Sequence, residues 1–259
     1  MVFCVLLDPN SIRASAAAGE WGEDHLIGVL QCLVQNCLIA ETESWRFSPE
    51  LADAIRSIQD QDARLKAGAL LETLEKRSRF VGIIDDSAFE LDTPLAEVAR
   101  AQANHADLDV ILTQGSQPDP ASVEFTKIQQ FHQSNFAQKR QRQACGVNLD
   151  TNQLSAPDFF RQFFSKLRFA ETDYHVIDYV IGGDFTSNFS RNLSFWIDFF
   201  KTQNRPVKFT IHTTPGLGDA TTRLTNRLAH LTNESPVNAE VKIHNDLPHE
   251  RFLITTQFC

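Results

Sequence analysis

Short apolar runs that alternate with helical stretches constrain this chain most. Residues 2–7 are apolar, rich in strand formers, and stop at Asp8-Pro9-Asn10, the pattern of a strand ending in a turn. Residues 80–84, closed by Asp85-Asp86, and residues 108–113 read as two more strands. Between them the apolar spacing is helical. Residues 23–40 carry Leu26, Val29, Leu30, Leu33, Val34 and Leu38 at helical intervals, and helices follow over 49–58 and 61–76. A further helix over 94–104 has Pro94 in its first position and Thr93 as N-cap. Strands joined through helices return parallel, so the expected class is α/β, with mostly parallel sheets flanked by helices.

After Gln114 the chain turns polar and Gln-rich, and a helix over roughly 120–142 is expected to lead into a linker. The alternation then restarts. A Phe-dense helix is expected over 157–169, a strand over 174–181, a helix over 190–202, a strand over 207–213 and a helix over 219–231. Residues 239–244 and 251–258 read as paired strands. Charge divides in the same place: residues 1–150 hold 13 Lys and Arg against 22 Asp and Glu, and residues 151–259 hold 11 of each. These shifts predict two Rossmann-type α/β units, 1–145 and 146–259. The second is expected to be incomplete, because a strand-like run reaches Cys259 with no helix after it.

With 42% hydrophobic and 22% charged residues, the composition excludes a disordered or collagen-like chain. A net charge of −9 argues against broad wrapping of DNA, but it is compatible with a metal-dependent nuclease, whose ion-holding carboxylates are themselves acidic. The five cysteines follow no metal-ligand spacing, and Cys4, Cys32 and Cys37 sit among apolar residues, which predicts a reducing, cytoplasmic setting. Residues 1–8 lack a basic leader, and residues 26–40 are interrupted by Gln31, Gln35 and Asn36, so no membrane segment is expected. The basic cluster Lys139, Arg140 and Arg142 reads as a solvated helix face, and the phenylalanines from Phe159 to Phe164 as core.

Near the carboxyl end stands His249-Glu250-Arg251-Phe252-Leu253-Ile254-Thr255. A histidine and a cation two residues apart on a strand share a face, so an imidazole could attack phosphorus while the guanidinium grips its oxygens. This string resembles the motif of the phospholipase D-like superfamily, in the bacterial form that writes it His-Asp-Arg before an aromatic and aliphatic strand. The resemblance spans roughly residues 174–259 and implies His249 as nucleophile and Arg251 as phosphate-binding residue, with no cofactor. It also implies a second histidine from another copy, hence a homo-oligomer. The motif's acid falls on Thr256, a departure that weakens the expected site.

The amino-terminal half offers another arrangement. Asp8 ends the first strand, where open α/β sheets gather ligands. Asp92 precedes the helix that runs into Ala106-Asp107-Leu108-Asp109-Val110-Ile111-Leu112-Thr113. Residues 2–115 in this respect resemble PIN-domain ribonucleases, in which carboxylates hold Mg²⁺ or Mn²⁺ for attack of water on a phosphodiester. The resemblance implies Asp8 as first acid, Glu41 or Glu43 as second and Asp92 as third. A fourth should follow Thr113 closely, but Gln114-Gly115-Ser116 stands there, and Asp119 is the nearest replacement.

Both resemblances imply nucleic acid as partner and phosphodiesterase chemistry, of a kind found in bacterial defence and toxin-like proteins. The departures leave open a degenerate phosphate-binding or partner-docking module, and a scaffold with neither activity.

Overall fold

The computed structural model describes residues 2–42, 47–85, 87–90, 93–144, 165–170, 172–181, 187–203, 205–216, 218–248 and 252–255. The chain divides into two compact units, Met1–Ser155 and Ala156–Cys259. Both are α/β, as the alternation predicts.

In the first unit β1 (Phe3–Leu7) is central, in a five-stranded sheet of order β3-β2-β1-β4-β5. Its other strands are β2 (Cys37–Thr42), β3 (Phe80–Ile84), β4 (Val110–Leu112) and β5 (Glu124–Thr126), and every pairing is parallel. Every residue of β1 is buried, because helices cover both faces of such a sheet. Phe3, Val5 and Leu7 join the main core with Leu26, Leu30 and Leu33, while Cys4 and Leu6 are as deeply buried on the opposite face. Each such Val, Leu or Phe side chain contributes about 1.5–3 kcal/mol through its removal from water.

The helices of this unit are α1 (Pro9–Ala17), α2 (Glu20–Asn36), α3 (Ser48–Arg56), α4 (Gln61–Lys76), α5 (Leu95–Ala101) and α6 (Asn135–Ala144), with a 3₁₀ helix over Ile128–Gln133. Several expectations are corrected. The helix expected over 23–40 ends at Asn36, and Cys37–Thr42 is a strand buried along its whole length, with no polar alternation to mark it. The helix expected over 120–142 is β5, the 3₁₀ turn and α6 in succession. Glu124 fastens β5 to α6: its two carboxylate oxygens accept from the backbone N–H groups of Asn135 (2.9 Å) and Phe136 (2.7 Å). Pro94 stands at the N-cap of α5, and the Thr93 hydroxyl accepts instead from the N–H of Glu90 at 3.0 Å.

The second unit holds a four-stranded sheet of order β8-β7-β6-β9, built from β6 (Asp173–Ile177), β7 (Val207–Thr213), β8 (Val237–Ile243) and β9 (Phe252–Thr255). The first three run parallel and β9 joins β6 antiparallel. The two final strands, expected to pair with each other, lie at opposite edges of the sheet. Its helices are α7 (Leu167–Ala170), α8 (Ser187–Lys201) and α9 (Ala220–Thr232). The Phe200 ring of α8 lies 4.6 Å from that of Tyr174 and 4.8 Å from that of Phe209, closing an aromatic core on one face of the sheet. The Tyr174 hydroxyl donates to the carbonyl of Leu167 at 3.2 Å and accepts from Gln203 Nε2 at 2.8 Å, so its burial leaves no polar atom stranded. Of the Phe-dense stretch 157–169, residues 157–164 lie outside the described residues. Among the described residues no helix is long and apolar enough to cross a membrane.

Candidate active site of the amino-terminal unit

Asp8 is the first residue beyond β1 and the N-cap of α1, with Pro9 in the first helical position. One carboxylate oxygen, Oδ1, accepts from the N–H of Asn10 at 2.9 Å, at the end of the helix where the backbone dipole favours negative charge. The other, Oδ2, receives the hydroxyl of Thr113 at 2.9 Å. That hydroxyl itself accepts from the N–H of Gly115 at 3.2 Å, so its own proton is committed to Asp8. The backbone N–H of Asp8 donates to the carbonyl of Leu112 at 2.9 Å. The side chain is 1% exposed. A carboxylate so fixed cannot swing away, yet each oxygen has lone pairs left over.

Asp8 opens into a cleft of about 200 Å³ lined by Pro9, Asn10, Arg13, Glu50, Thr93 and neighbouring residues. Arg13 is exposed on the second turn of α1, its Nη1 donating to Asn10 Oδ1 at 3.0 Å. Glu50 is exposed in the first turn of α3. The volume suits a phosphoryl group with a hydrated cation better than a whole nucleotide, which fills pockets of about 300 Å³ and more. Asp8 and Glu50 can each offer oxygen to Mg²⁺ or Mn²⁺, ions that keep several waters and take one or two carboxylates plus substrate phosphate. Arg13 supplies the planar donor fork that phosphate oxygens fit.

The other expected ligands fall elsewhere. Glu41, buried near the carboxyl end of β2, directs Oε1 to the N–H of Ser48 at 3.0 Å and does not line the cleft. Asp119 is exposed in the β4–β5 connection, also away from the cleft lining. Glu43 and Asp92 lie outside the described residues, although Thr93 beside Asp92 does line the cleft. Among the described residues no group of three or more His, Cys, Asp or Glu side chains is placed to hold a metal ion. Sequence reading missed Glu50 and Arg13. The available signal was an acid in the first turn of the helix after β2 and a cation one turn into the helix after β1.

His249 and Arg251 also lie outside the described residues; β9 begins directly after them. Of the basic cluster, Arg140 is held on α2. Its Nε donates to Asn36 Oδ1 at 3.0 Å, and its other nitrogens bond Gln35 and Cys32 Sγ. Arg140 thus ties α6 to the last turns of α2.

Burial pushes the Cys37 thiol up to about 12, despite the opposing pull of Arg140. A thiol that stays protonated is a poor nucleophile. Titration with a disulfide reagent at pH 8 is therefore expected to leave Cys37 unmodified until denaturant is added, and Cys4, which is fully buried, is expected to stay out of the reagent's reach as well. No protein-family model matches the chain, and no curated protein or solved structure matches it.

Proposed function

We propose that this chain is a nucleic-acid phosphodiesterase whose reaction centre is the Asp8 cleft. The observation that carries the reading is a buried carboxylate at the carboxyl edge of the central parallel strand, fixed on both oxygens and opening beside an exposed acid and an exposed arginine. Active centres of open α/β sheets gather at this edge. Asp8 and Glu50 would hold Mg²⁺ or Mn²⁺, which when bound lowers the pKa of a coordinated water and offsets charge on the phosphoryl group. Arg13 orients the phosphate, and Thr113 keeps the Asp8 carboxylate turned toward the cleft.

The test is cleavage of single- and double-stranded DNA and RNA by the full chain, with Mg²⁺ or Mn²⁺ and with EDTA. The expected result is cleavage that needs the divalent ion, is lost in Asp8→Asn and persists in His249→Ala. Cleavage that survives EDTA and disappears in His249→Ala would move the reaction to the carboxyl-terminal unit, with Arg251 as its phosphate clamp. Oligonucleotide binding without cleavage, weakened in Arg13→Ala, would make the chain a binding module.

A further inference from the structure

The carboxyl-terminal unit carries a second polar arrangement, independent of the Asp8 reading. β6, β7 and β8 each bring a histidine to one face of the sheet: His175 within β6, His212 within β7 and His244 directly after β8. In register His175 pairs with Thr210 and His212 with Lys242, so each imidazole stands two residues further along than its neighbour's partner. The three rings form a diagonal row. His175 Nδ1 lies 2.9 Å from His212 Nε2, and His212 Nδ1 lies 2.9 Å from His244 Nε2. Ring centroids are 5.2 and 5.0 Å apart. At the head of the row His175 Nε2 stands 3.3 Å from Asp173 Oδ1, a buried oxygen with no hydrogen bond of its own among the described residues.

Proton arithmetic orients the row. A neutral imidazole has one donor and one acceptor nitrogen, so a chain of three must point one way. The Asp173 carboxylate, 3.3 Å from His175 Nε2, favours a proton on that nitrogen through its charge. Its Nδ1 must then accept from His212 Nε2–H, and His212 Nδ1 from His244 Nε2–H. The lone pair left over is His244 Nδ1.

We propose that Asp173, His175, His212 and His244 form a one-proton relay that loads through His244 Nδ1 and stores the charge beside Asp173. A hydronium ion gives its proton to His244 Nδ1 and leaves as water, and the proton on His244 Nε2 passes to His212 Nδ1. The proton on His212 Nε2 then passes to His175 Nδ1. The imidazolium ends on His175, whose Nε2 stands 3.3 Å from Asp173 Oδ1, and every bond in the row has reversed. A second proton would set N–H against N–H and break a link, so the row holds one. The nearby charges are Lys242, in register with His212, and Glu240, which accepts from Thr210 at 3.1 Å and pairs with Lys242 at 3.2 Å and Lys208 at 3.9 Å. From β9, Ile254 faces His175. The helices α8 and α9 pack with β8. Desolvation, then the two flanking histidines, then Lys242 lower the pKa of His212 from its ordinary value, in keeping with its place as conduit and not store.

Nitrogen-15 spectra of the histidine side chains in the full chain test this. At neutral pH all three histidines are expected as Nε2–H tautomers. On acidification from pH 8 to about 5.5 the row should take up one proton with the three resonances moving together; three isolated imidazoles would take up three. In Asp173→Ala the row loses its direction, and an Nδ1–H fraction should appear at His244, two links away. In His212→Phe that long-range effect of Asp173→Ala should vanish. Three independent titrations, or a His244 tautomer indifferent to Asp173→Ala in a variant whose backbone spectrum is otherwise unchanged, would overturn the relay.

Discussion

Asp8→Asn is expected to lower divalent-dependent cleavage more than about a hundredfold while leaving the folded chain almost as stable as before. The two effects separate because Asp8 caps α1 and is also the proposed metal ligand. As N-cap of α1 it needs only an oxygen that accepts from the N–H of Asn10, and asparagine caps as well as aspartate. As the proposed metal ligand it would need the negative charge, which the amide lacks. Asp8→Ala would lose both and cost about 1 kcal/mol of stability besides. Thr113 gives the graded companion. Its hydroxyl, pinned by the N–H of Gly115, orients Asp8 through a single bond, so Thr113→Val is expected to lower cleavage about 10–100-fold, the usual loss when the partner that orients a ligand goes. Thr113→Ser keeps the hydroxyl and should retain most of the activity. The measurements are kcat and KM on a fluorogenic oligonucleotide at saturating Mg²⁺, with thermal unfolding of each variant. An Asp8→Asn protein that cleaves normally would remove the carboxylate from the reaction.

Acidification bears on the other unit. Because His212 is lowered, the unfolded chain binds a proton there before the folded one does. The stability tied to His212 is complete above about pH 6.5, its unfolded value, and is lost as pH falls from there toward the folded value. Unfolding midpoints of the wild type should thus fall more between pH 7.5 and 5.5 than those of His212→Phe.

What the sequence made legible, and what it did not, follows from locality. The strand 80–84 was readable to the residue as a short apolar run closed by Asp85-Asp86, the strand 207–213 by the alternation of Val207, Phe209 and Ile211 with polar residues, and the helix 61–76 by the helical spacing of its apolar residues. β2 escaped because α2 passes into it with no glycine or proline between Asn36 and Cys37, and a strand buried on both faces lacks the alternation that betrays an exposed one. β5 is three residues long in a polar stretch and exists through its pairing with β4, which no local pattern records. The same holds for the site. Asp8 could be found as a carboxylate at a strand end. The convergence of Glu50 and Arg13 on it depends on how α1 and α3 pack. The histidine row depends on the register of three strands whose parity is invisible until the sheet order is known.

That packing is open to a sharp test at Gly22, in the first turns of α2. A methyl group built on Gly22 would meet the backbone oxygen of Ser15 at 2.2 Å and Cβ of Ala18 at 2.8 Å. Ser15 belongs to α1, the helix that Asp8 caps, so neither contact is the far end of a flexible side chain that could turn aside. Gly22→Ala must force α1 and α2 apart, and the expected cost is about 1–3 kcal/mol. Displacing α1 also moves Asn10 and Arg13 relative to Glu50 on α3, so cleavage should fall with stability even though residue 22 lies outside the cleft lining. Gly68 is the control. It too lies inside a helix, α4, but an added Cβ meets nothing within 4 Å, so Gly68→Ala should stabilise the protein by about 0.5–1 kcal/mol and leave cleavage unchanged. Denaturant unfolding of the two variants therefore separates the intrinsic preference of a helix for alanine from the steric demand of the α1–α2 crossing. If Gly22→Ala were as stable as Gly68→Ala, the close approach of these two helices, and with it the placement of the Asp8 cleft, would be wrong.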